Sequence, residues 1–288
     1  MADAPGHLLG QIIGNTLEDS LEPLLRQVAV ENGLYLDKKG SRAARTGLKC
    51  TWTDGLGNAH DLDFVLERAG NENHRGTPAA FIETAWRRYT KHSRAKAQEI
   101  QGALLPLLQH HSAAKPFAGA VVAGQWTSGA LQQMRSSGFE VLHVSYEDIV
   151  AAFAAVGVDV DADEGTSDEY LKGQIDLYRA LPQEQHDKVA SSLISIASDE
   201  YLRFTEALEG SLRRKIVRIV VLPLSGALME FTSLHDAIQA IEAYEPHAGR
   251  SAPFVRFEVQ MTYSNGDEIL GKFSQKDEAI AYIRTYIT

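Results

Sequence analysis

Two short stretches of the sequence place carboxylates beside apolar runs. The first reads His60-Asp-Leu-Asp-Phe-Val-Leu-Glu-Arg68, and the second reads Ala80-Phe-Ile-Glu-Thr-Ala-Trp-Arg-Arg88. A carboxylate at the end of an apolar strand is costly to bury alone, so it needs a cation, hydrogen bonds or solvent. Mg²⁺ prefers oxygen ligands, and a bound ion activates water and offsets charge on a cleaved phosphodiester. The two stretches therefore predict a Mg²⁺ site, with Mn²⁺ as a substitute, that suits phosphodiester hydrolysis.

Asp63 and Glu83 are the predicted metal ligands. Successive side chains of a strand over Leu62–Glu67 point to opposite faces, which puts Asp61 on the same side as Asp63, as a supporting acid. A plainer interpretation stays open. In it, the two aspartates form the solvated side of an amphipathic strand, and Glu83 pairs with a nearby arginine.

A cationic run without Asp or Glu follows the second stretch, and its members are Arg87, Arg88, Lys91, Arg94 and Lys96. Ser93 suits the N-cap of a helix over Arg94–Leu108, which would bring Lys96 close to the carboxylates. Clustered cations suit phosphate binding, although such runs also form solvated helix faces. We expect Lys96, Lys91 or Arg87 to contact the scissile phosphate or to orient the nucleophile. Arg88 and Arg94 are predicted DNA contacts.

The net charge of −10 would disfavour binding of nucleic acid if the charge were evenly spread over the chain. Residues 151–200 alone hold 11 acidic and 3 basic side chains, whereas residues 1–150 hold 16 acidic and 15 basic ones. The first half is therefore close to neutral. It carries a second basic cluster that is predicted to contact DNA, formed by Lys38, Lys39, Arg42 and Arg45. The negative net charge of the whole chain also leaves open the interpretation that this is a structural or regulatory protein unrelated to DNA.

Hydrophobic periodicity and turn signals predict the elements that would position these residues. The pattern predicts a first helix over Leu8–Glu31, a hairpin that joins Lys49–Thr53 to Leu62–Glu67, and a third strand over Phe81–Ala85. After the helix that follows Ser93, it predicts strands over Phe117–Ala123 and Glu140–Val144 and a helix over Tyr146–Val156.

In this order of elements, with its two strand carboxylates, the segment 8–157 resembles the PD-(D/E)XK nuclease superfamily, which includes many type II restriction endonucleases. The resemblance implies an α/β (α+β) fold with a restriction-endonuclease-like mixed-sheet core flanked by helices. It places the family's strand aspartate at Asp63, the glutamate of its E-x-K element at Glu83 and a supporting helix glutamate at Glu18. It also implies a Mg²⁺-dependent endonuclease that acts on double-stranded DNA as a homodimer.

The sequence departs from the family at one position, because Ala85 stands where the E-x-K element has its lysine. One interpretation is that a neighbouring cation, namely Arg87, Lys91 or Lys96, replaces this lysine. The other is that the fold survives without cleavage. The chain would then be a catalytically inactive nuclease-like module that binds nucleic acid or protein.

Several other functional classes find no support in the sequence. Cys50 is the single cysteine, which excludes an intramolecular disulfide and a multi-cysteine Zn²⁺ site and fits a cytoplasmic location. The sequence has neither a recognisable secretory segment nor an apolar run of about 18 residues. We therefore predict neither export nor a membrane partner. No Walker A or G-x-G-x-x-G motif occurs, so no nucleotide cofactor is expected.

The sequence predicts two further regions after a nuclease-like core at residues 1–158. Residues 159–212 read as an acidic linker followed by helices, because Asp159–Ser167 is acidic and turn-prone. Residues 213–288 contain an internal repeat at an offset of 42 residues, in which Phe231, Ile238 and Tyr244 recur as Phe273, Ile280 and Tyr286. Each copy reads strand, strand, helix. We therefore predict a duplicated ββα domain with a four-stranded antiparallel sheet.

Overall fold

The first helix, α1 (Pro5–Glu31), is long and carries an apolar stripe. Its most deeply buried side chains recur at every fourth residue, at Leu9, Ile13, Leu17, Leu21 and Leu25. Because four residues are slightly more than one helical turn, these side chains share one side of the helix. Burial of this stripe anchors α1 to the sheet that follows.

A computed structural model describes residues 4–163, 165–224, 226–245 and 254–287. The chain forms two compact units, Met1–Leu212 and Arg213–Thr288. The strands of the first unit are β1 (Leu34–Lys38), β2 (Cys50–Thr53), β3 (Ala59–Leu62), β4 (Phe64–Arg68), β5 (Thr77–Arg87), β6 (Phe117–Gly124) and β7 (Glu140–Val144). Its further helices are α2 (Ser93–His110), α3 (Ser128–Ser136), α4 (Tyr146–Ala154), α5 (Asp168–Arg179), α6 (Gln183–Ile196) and α7 (Ser198–Leu212).

Five of these strands form one mixed sheet in the order β1-β4-β5-β6-β7. β4 pairs antiparallel with β1 and β5, whereas β5, β6 and β7 run parallel to one another. Helices cover both faces, because side chains alternate along each strand: Ile82 of β5 enters the core beneath α1, and Phe81 enters the core beneath α2. The predicted α/β class with a mixed sheet is confirmed.

The helices between residues 168 and 212 belong to the same apolar core as α1. The hydroxyl oxygens of Thr16 and Tyr178 lie 3.2 Å apart, and those of Ser20 and Tyr201 lie 2.7 Å apart. Thr16 and Ser20 are buried in α1, so these bonds satisfy polar groups that the packing removes from water. The region predicted as an acidic linker with helices, 159–212, lies in the same compact unit as the sheet.

The predicted hairpin has a different pairing in the structure. β2 pairs with β3, with Thr51 opposite Asp61, and the two form a separate sheet. A bend at Asp63 ends β3, and β4 then pairs with β1, a strand that was not predicted. The alternating apolar residues from Leu62 to Leu66 conceal this bend, because they read as one continuous strand.

The second unit contains β8 (Ile216–Pro223), β9 (Met229–Phe231), α8 (Leu234–Ala243), β10 (Phe257–Tyr263), β11 (Glu268–Phe273) and α9 (Lys276–Arg284). The strands form an antiparallel sheet in the order β11-β10-β8-β9. Ile241 of α8 and Ile283 of α9 share one apolar core with Val259 of β10, so both helices cover the same face. The two copies are therefore ββα units. In both units, the helices within the described ranges lack a stretch long and apolar enough to cross a membrane.

Candidate active site

A pocket of about 680 Å³ lies at the carboxyl end of β5. α1 lines it with Gly6, His7, Gly10, Gln11, Gly14 and Glu18. Residues 83–89 line it from β5 and the turn that follows, and Asp63 and Lys96 complete it. The fold thus brings four residues that are distant in sequence to one place: Glu18, Asp63, Glu83 and Lys96.

Asp63 is held beside Glu83 by hydrogen bonds from the backbone and from Thr84. Its Oδ2 accepts from the Thr84 backbone N–H at 2.7 Å and from Thr84 Oγ1 at 2.8 Å. Because Phe64 pairs with Ile82 across the sheet, the bend at Asp63 lies next to Glu83. The two predicted ligands therefore lie side by side, and the hydrogen bonds from Thr84 fix the position of the Asp63 carboxylate.

Burial disfavours the charged forms of two carboxyl groups of the pocket, Glu83 and Glu18. Burial, and then the charge of Asp63, raises the pKa of Glu83 to about 9, and Lys96 opposes this rise. Burial, and then Asp63, also raises the pKa of Glu18 to about 7. Glu83 Oε1 is buried and has no hydrogen-bond partner in the part of the chain that the structure describes. A bound cation would relieve this unfavourable environment.

The cation whose charge opposes the raised pKa of Glu83 is Lys96. It lies in the first turn of α2 and lines the pocket, and its Nζ is 3.0 Å from Glu99 Oε2. A 3₁₀ turn at Thr90–His92 leads into α2. Ser93, which was predicted as the N-cap, is instead the first residue of the helix, and its buried Oγ donates to Thr90 O at 2.8 Å. This bond fixes the start of the helix and hence the position of Lys96.

The other two catalytic candidates are placed less favourably. Arg87 lines the pocket, but its Nη1 donates to Trp86 O at 2.8 Å and its Nη2 lies 3.7 Å from Glu99 Oε2. Lys91 is not among the lining residues, and its Nζ lies 5.2 Å from the centroid of the Tyr89 ring. Of the three predicted cations, Lys96 is the one positioned to act beside Glu83.

Ala85, at the position of the missing lysine, faces the α2 side of the sheet. It is 6% exposed and belongs to the apolar core beneath α2. Glu83 shares this face, because residues two apart in a strand point the same way. Lys96 belongs to the helix that covers this face, so it lies on the side of the sheet to which residue 85 points.

Arg88 lines the pocket with unused hydrogen-bonding capacity. Its Nη2 is buried and has no hydrogen-bond partner within the described ranges. A guanidinium group has five donors and no acceptor, so this atom suits an anionic group. Arg94, the other predicted DNA contact of this run, is exposed in the first turn of α2.

Asp61 is not brought to the pocket, contrary to its predicted supporting role. It is exposed, its Oδ2 lies 2.6 Å from Lys49 Nζ, and its Oδ1 accepts from Thr51 Oγ1 at 2.6 Å. The Lys49 contact lowers the pKa of Asp61. Asp61 precedes the bend at Asp63 and belongs to the β2–β3 sheet, so strand alternation does not place the two aspartates together.

Two members of the predicted basic cluster are buried in ion pairs. Arg42 Nη1 lies 2.6 Å from Glu67 Oε1 and 2.8 Å from Asp37 Oδ2, and 1% of the Arg42 side chain is exposed. Arg45 Nη2 lies 3.4 Å from Asp37 Oδ1, with 4% of its side chain exposed. Burial of a carboxylate requires such a partner. Arg42 and Arg45 therefore compensate internal charge in this structure instead of offering a surface to DNA.

The two lysines of the same cluster remain at the surface. Lys38 Nζ lies 2.5 Å from Glu22 Oε2. Lys39 is exposed and close enough to Glu18 that its charge lowers the pKa of that carboxyl, against the larger effect of burial. Lys38 lowers the pKa of Glu18 as well, to a smaller extent, so both lysines have an electrostatic link to the pocket.

Sequence reasoning missed the glycine stripe of α1. Gly6, Gly10 and Gly14 lie one turn apart and lead to Glu18. A Cβ on Gly14 would meet nothing within 4 Å, and one on Gly10 would touch Trp86 at 3.6 Å. The available signal was the four-residue spacing of glycines in a helix that they weaken. Thr84 was missed as well, and its only signal is its place next to Glu83.

The donor set of the pocket fits a hard cation. Mg²⁺ usually takes one or two carboxylates together with water and substrate phosphate, so Asp63 and Glu83 suffice as protein ligands, with Glu18 close by. The unpartnered Oε1 of Glu83 leaves a ligand position available. Over the described ranges, no group of three or more His, Cys, Asp or Glu side chains is arranged to hold a metal ion by itself. The substrate and water would therefore have to complete the coordination.

Comparisons with known proteins leave the family open. No family model matches the chain, and no curated protein matches it. A crystal structure titled as that of a protein of unknown function, AF1548, matches 66% of this chain and 97% of its own, with 11% sequence identity and a TM-score of 0.28. At this TM-score the two folds are not established as alike.

Proposed function

We propose that the chain is a Mg²⁺-dependent endonuclease of the restriction type, which hydrolyses phosphodiester bonds in double-stranded DNA. Asp63 and Glu83 would hold the ion, with Mn²⁺ as a substitute, and Glu18 would support them from α1. Lys96 would take the role of the lysine that Ala85 replaces.

The main support is the meeting of Glu18, Asp63, Glu83 and Lys96 in one pocket, where Glu83 Oε1 is buried without a hydrogen-bond partner within the described ranges. Unpaired buried carboxylates are costly, so this arrangement favours a cation. The order of elements is a second support. The PD-(D/E)XK family has a helix, three antiparallel strands, a helix, and then a further strand and helix, and the resemblance assigns its two strand carboxylates to Asp63 and Glu83.

The chain's own groups have distinct roles in this proposal. When bound, Mg²⁺ supplies a Lewis acid and an activated water for the phosphodiester. Lys96 contacts the scissile phosphate or orients the nucleophile, because its charge already acts on Glu83. Within the described residues, the buried Nη2 of Arg88 has no hydrogen-bond partner, and it offers this donor to a flanking phosphate. Lys39 adds positive charge near Glu18. Thr84 keeps Asp63 in its ligand position.

A second candidate function is favoured by Ala85. If no cation replaces the missing lysine, the pocket belongs to a nuclease-like module that binds nucleic acid or protein without cutting. The nuclease and a module that binds nucleic acid make the same prediction for DNA binding and opposite predictions for cleavage.

Cleavage of mixed plasmid and phage DNA in Mg²⁺ or Mn²⁺ tests the proposal. The wild type is compared with Glu83→Gln and with the matched control Asp61→Asn, which removes an exposed carboxylate outside the pocket. We expect discrete fragments from the wild type and from Asp61→Asn, and none from Glu83→Gln. A mobility shift without cutting in all three proteins would favour the binding module. Absence of both cutting and shift would contradict the nuclease and any module that binds DNA.

A further inference from the structure

A second, smaller cavity adjoins the pocket of the candidate active site. Its volume is about 300 Å³, and it is lined by Arg87, His92, Ala95, Lys96 and Glu99. Arg87 and Lys96 also line the larger pocket, so the two cavities share these side chains. We call the smaller one the side cavity. Arg87, His92 and Lys96 carry nitrogen atoms that can donate to an anion, so the side cavity has the donors of a phosphate site.

A carboxylate lies between the two shared cations. Glu99 Oε2 is 3.0 Å from Lys96 Nζ and 3.7 Å from Arg87 Nη2. Lys96 lowers the pKa of Glu99, and Arg87 acts in the same direction, so this carboxylate is charged at neutral pH. Without substrate, Glu99 therefore partly neutralises the cation that the proposed reaction needs, Lys96.

The sequence around Glu99 is strongly biased towards cations. Glu99 is the only Asp or Glu in residues 84–110, a segment that contains five Arg and Lys residues. Of these five, the single acid contacts Arg87 and Lys96, the two that line both cavities. One substitution at Glu99 therefore removes all the acidic charge of this segment.

The contacts of Glu99 suit displacement by a stronger anion. The Glu99 side chain is 61% exposed, and ion pairs at the surface contribute little to stability, so its release into water costs little. One oxygen of Glu99 serves both cations, and its distance from Arg87 exceeds that of a hydrogen bond. A backbone phosphate offers separate oxygens to the two cations, and a guanidinium group can bind such oxygens in parallel.

We infer that the side cavity is a subsite for the backbone phosphate next to the scissile one, and that Glu99 holds the place of this phosphate until nucleic acid displaces it. That the ligand is nucleic acid rests on the proposed function, whereas the competition between Glu99 and an anion does not. Because Lys96 belongs to both cavities, displacement of Glu99 also frees Lys96 for the scissile phosphate. Glu99 thus couples the availability of Lys96 to occupancy of the neighbouring subsite.

Binding of inorganic pyrophosphate to the full-length, metal-free protein tests this competition without DNA. Calorimetric titration at neutral pH compares the wild type with Glu99→Gln, which keeps the shape of the side chain and removes its charge. We expect Glu99→Gln to bind pyrophosphate about tenfold more tightly, because two exposed ion pairs no longer compete with the ligand.

The matched control is Glu230→Gln, which removes a similarly exposed carboxylate of the second unit. Glu230 Oε1 lies 2.8 Å from Arg218 Nε, so this variant also breaks a surface ion pair with an arginine. It should change the affinity for pyrophosphate by less than about twofold, because surface charges beyond a Debye length are largely screened. An equal gain from Glu230→Gln would overturn the inference.

A double-mutant comparison separates displacement of Glu99 from a general loss of negative charge. In an Arg87→Gln background, Glu99→Gln should gain at most about threefold, because one of the two competing ion pairs is already absent. An equal gain in both backgrounds would mean that Glu99 acts only as a distant charge, which contradicts the inference. Undetectable binding of pyrophosphate by Glu99→Gln would contradict it as well.

Binding of duplex DNA in the presence of a metal chelator tests the nature of the ligand. Fluorescence anisotropy should rank the proteins in the same order, with Glu99→Gln tightest, the wild type next and Arg87→Gln weakest. If pyrophosphate shows the coupling but none of the proteins binds DNA, the assignment to a nucleic-acid phosphate is overturned together with the proposed function. If the wild type cleaves DNA but pyrophosphate shows no coupling, the proposed function stands and this inference fails.

Discussion

At the scale of single residues, Glu83 makes the stability of the metal-free protein depend on pH. Its pKa is raised from 4.5 to about 9, so between these values the folded chain holds a proton that the unfolded chain has released. The free energy of unfolding therefore falls as the pH rises through this window. Glu83→Gln removes the ionisable group and with it this fall.

We predict that metal-free Glu83→Gln is more stable than the wild type by about 3 kcal/mol at pH 7, and that the difference vanishes at acidic pH. Urea unfolding at a series of pH values measures it. Asp61→Asn is the control, and it should change stability in the opposite direction, because Lys49 lowers the pKa of Asp61. An equal response of Glu83→Gln and the wild type at all pH values would show that Glu83 is not buried in this way.

The second residue-scale prediction concerns the replacement for the missing lysine. Lys96→Met should reduce Mg²⁺-dependent cleavage about a hundredfold or more, because it removes a positive charge beside the reacting phosphate. DNA affinity should change little, since one of several cations is lost. Single-turnover cleavage and a mobility-shift titration measure the two effects.

Lys91→Met is the matched control for Lys96→Met, because Lys91 belongs to the same cationic run but not to the pocket lining. It should cleave almost as the wild type does. If Lys91→Met loses as much activity as Lys96→Met, the cationic run acts as a whole and the assignment of Lys96 is wrong.

At the scale of elements, the glycine stripe of α1 keeps the pocket open. Gly14→Leu should fill space that nothing within 4 Å of a Cβ now occupies. We predict a higher melting temperature, because leucine is the better helix former by up to about 1 kcal/mol, together with weaker DNA cleavage. Differential scanning fluorimetry and the cleavage assay measure both effects.

Gly173→Leu in α5 provides the comparison, since Gly173 is also a helical glycine with nothing within 4 Å of its Cβ but lies outside the pocket lining. It should raise stability without affecting cleavage. Cleavage by Gly14→Leu at the wild-type rate would mean that substrate does not approach this part of α1.

How much of the site was predictable depended on whether the signal was local. The strand position of Glu83 was predictable because a long apolar run made its strand visible, and the place of Lys96 in a first helical turn was predictable because Ser93 indicated where the helix begins. Asp61 was misplaced because the bend at Asp63 leaves the apolar alternation intact. β1 was missed because it contains Asp37, whose charge is compensated by Arg42 and Arg45. Those partners come from the tertiary structure, which strand patterns do not contain.

At the scale of the whole molecule, the acidic block of the sequence lies apart from the residues that line the pocket. The pocket lies wholly within Met1–Leu212. The acidic segment 151–200 contributes no residue to the pocket lining. The negative net charge of the chain therefore need not prevent binding of a polyanion, because the local field of Lys96, Arg88 and Lys39 acts at the pocket.

The central claim is that Asp63 and Glu83 hold a divalent cation, and calorimetric titration of the intact, DNA-free protein with Mn²⁺ tests it most directly. The structure predicts saturable binding by the wild type and by Asp61→Asn, and none by Glu83→Gln. Binding by the wild type should weaken as the pH falls below about 9, because protons compete for Glu83. Absence of binding by the wild type, or equal binding by Glu83→Gln, would contradict the claim.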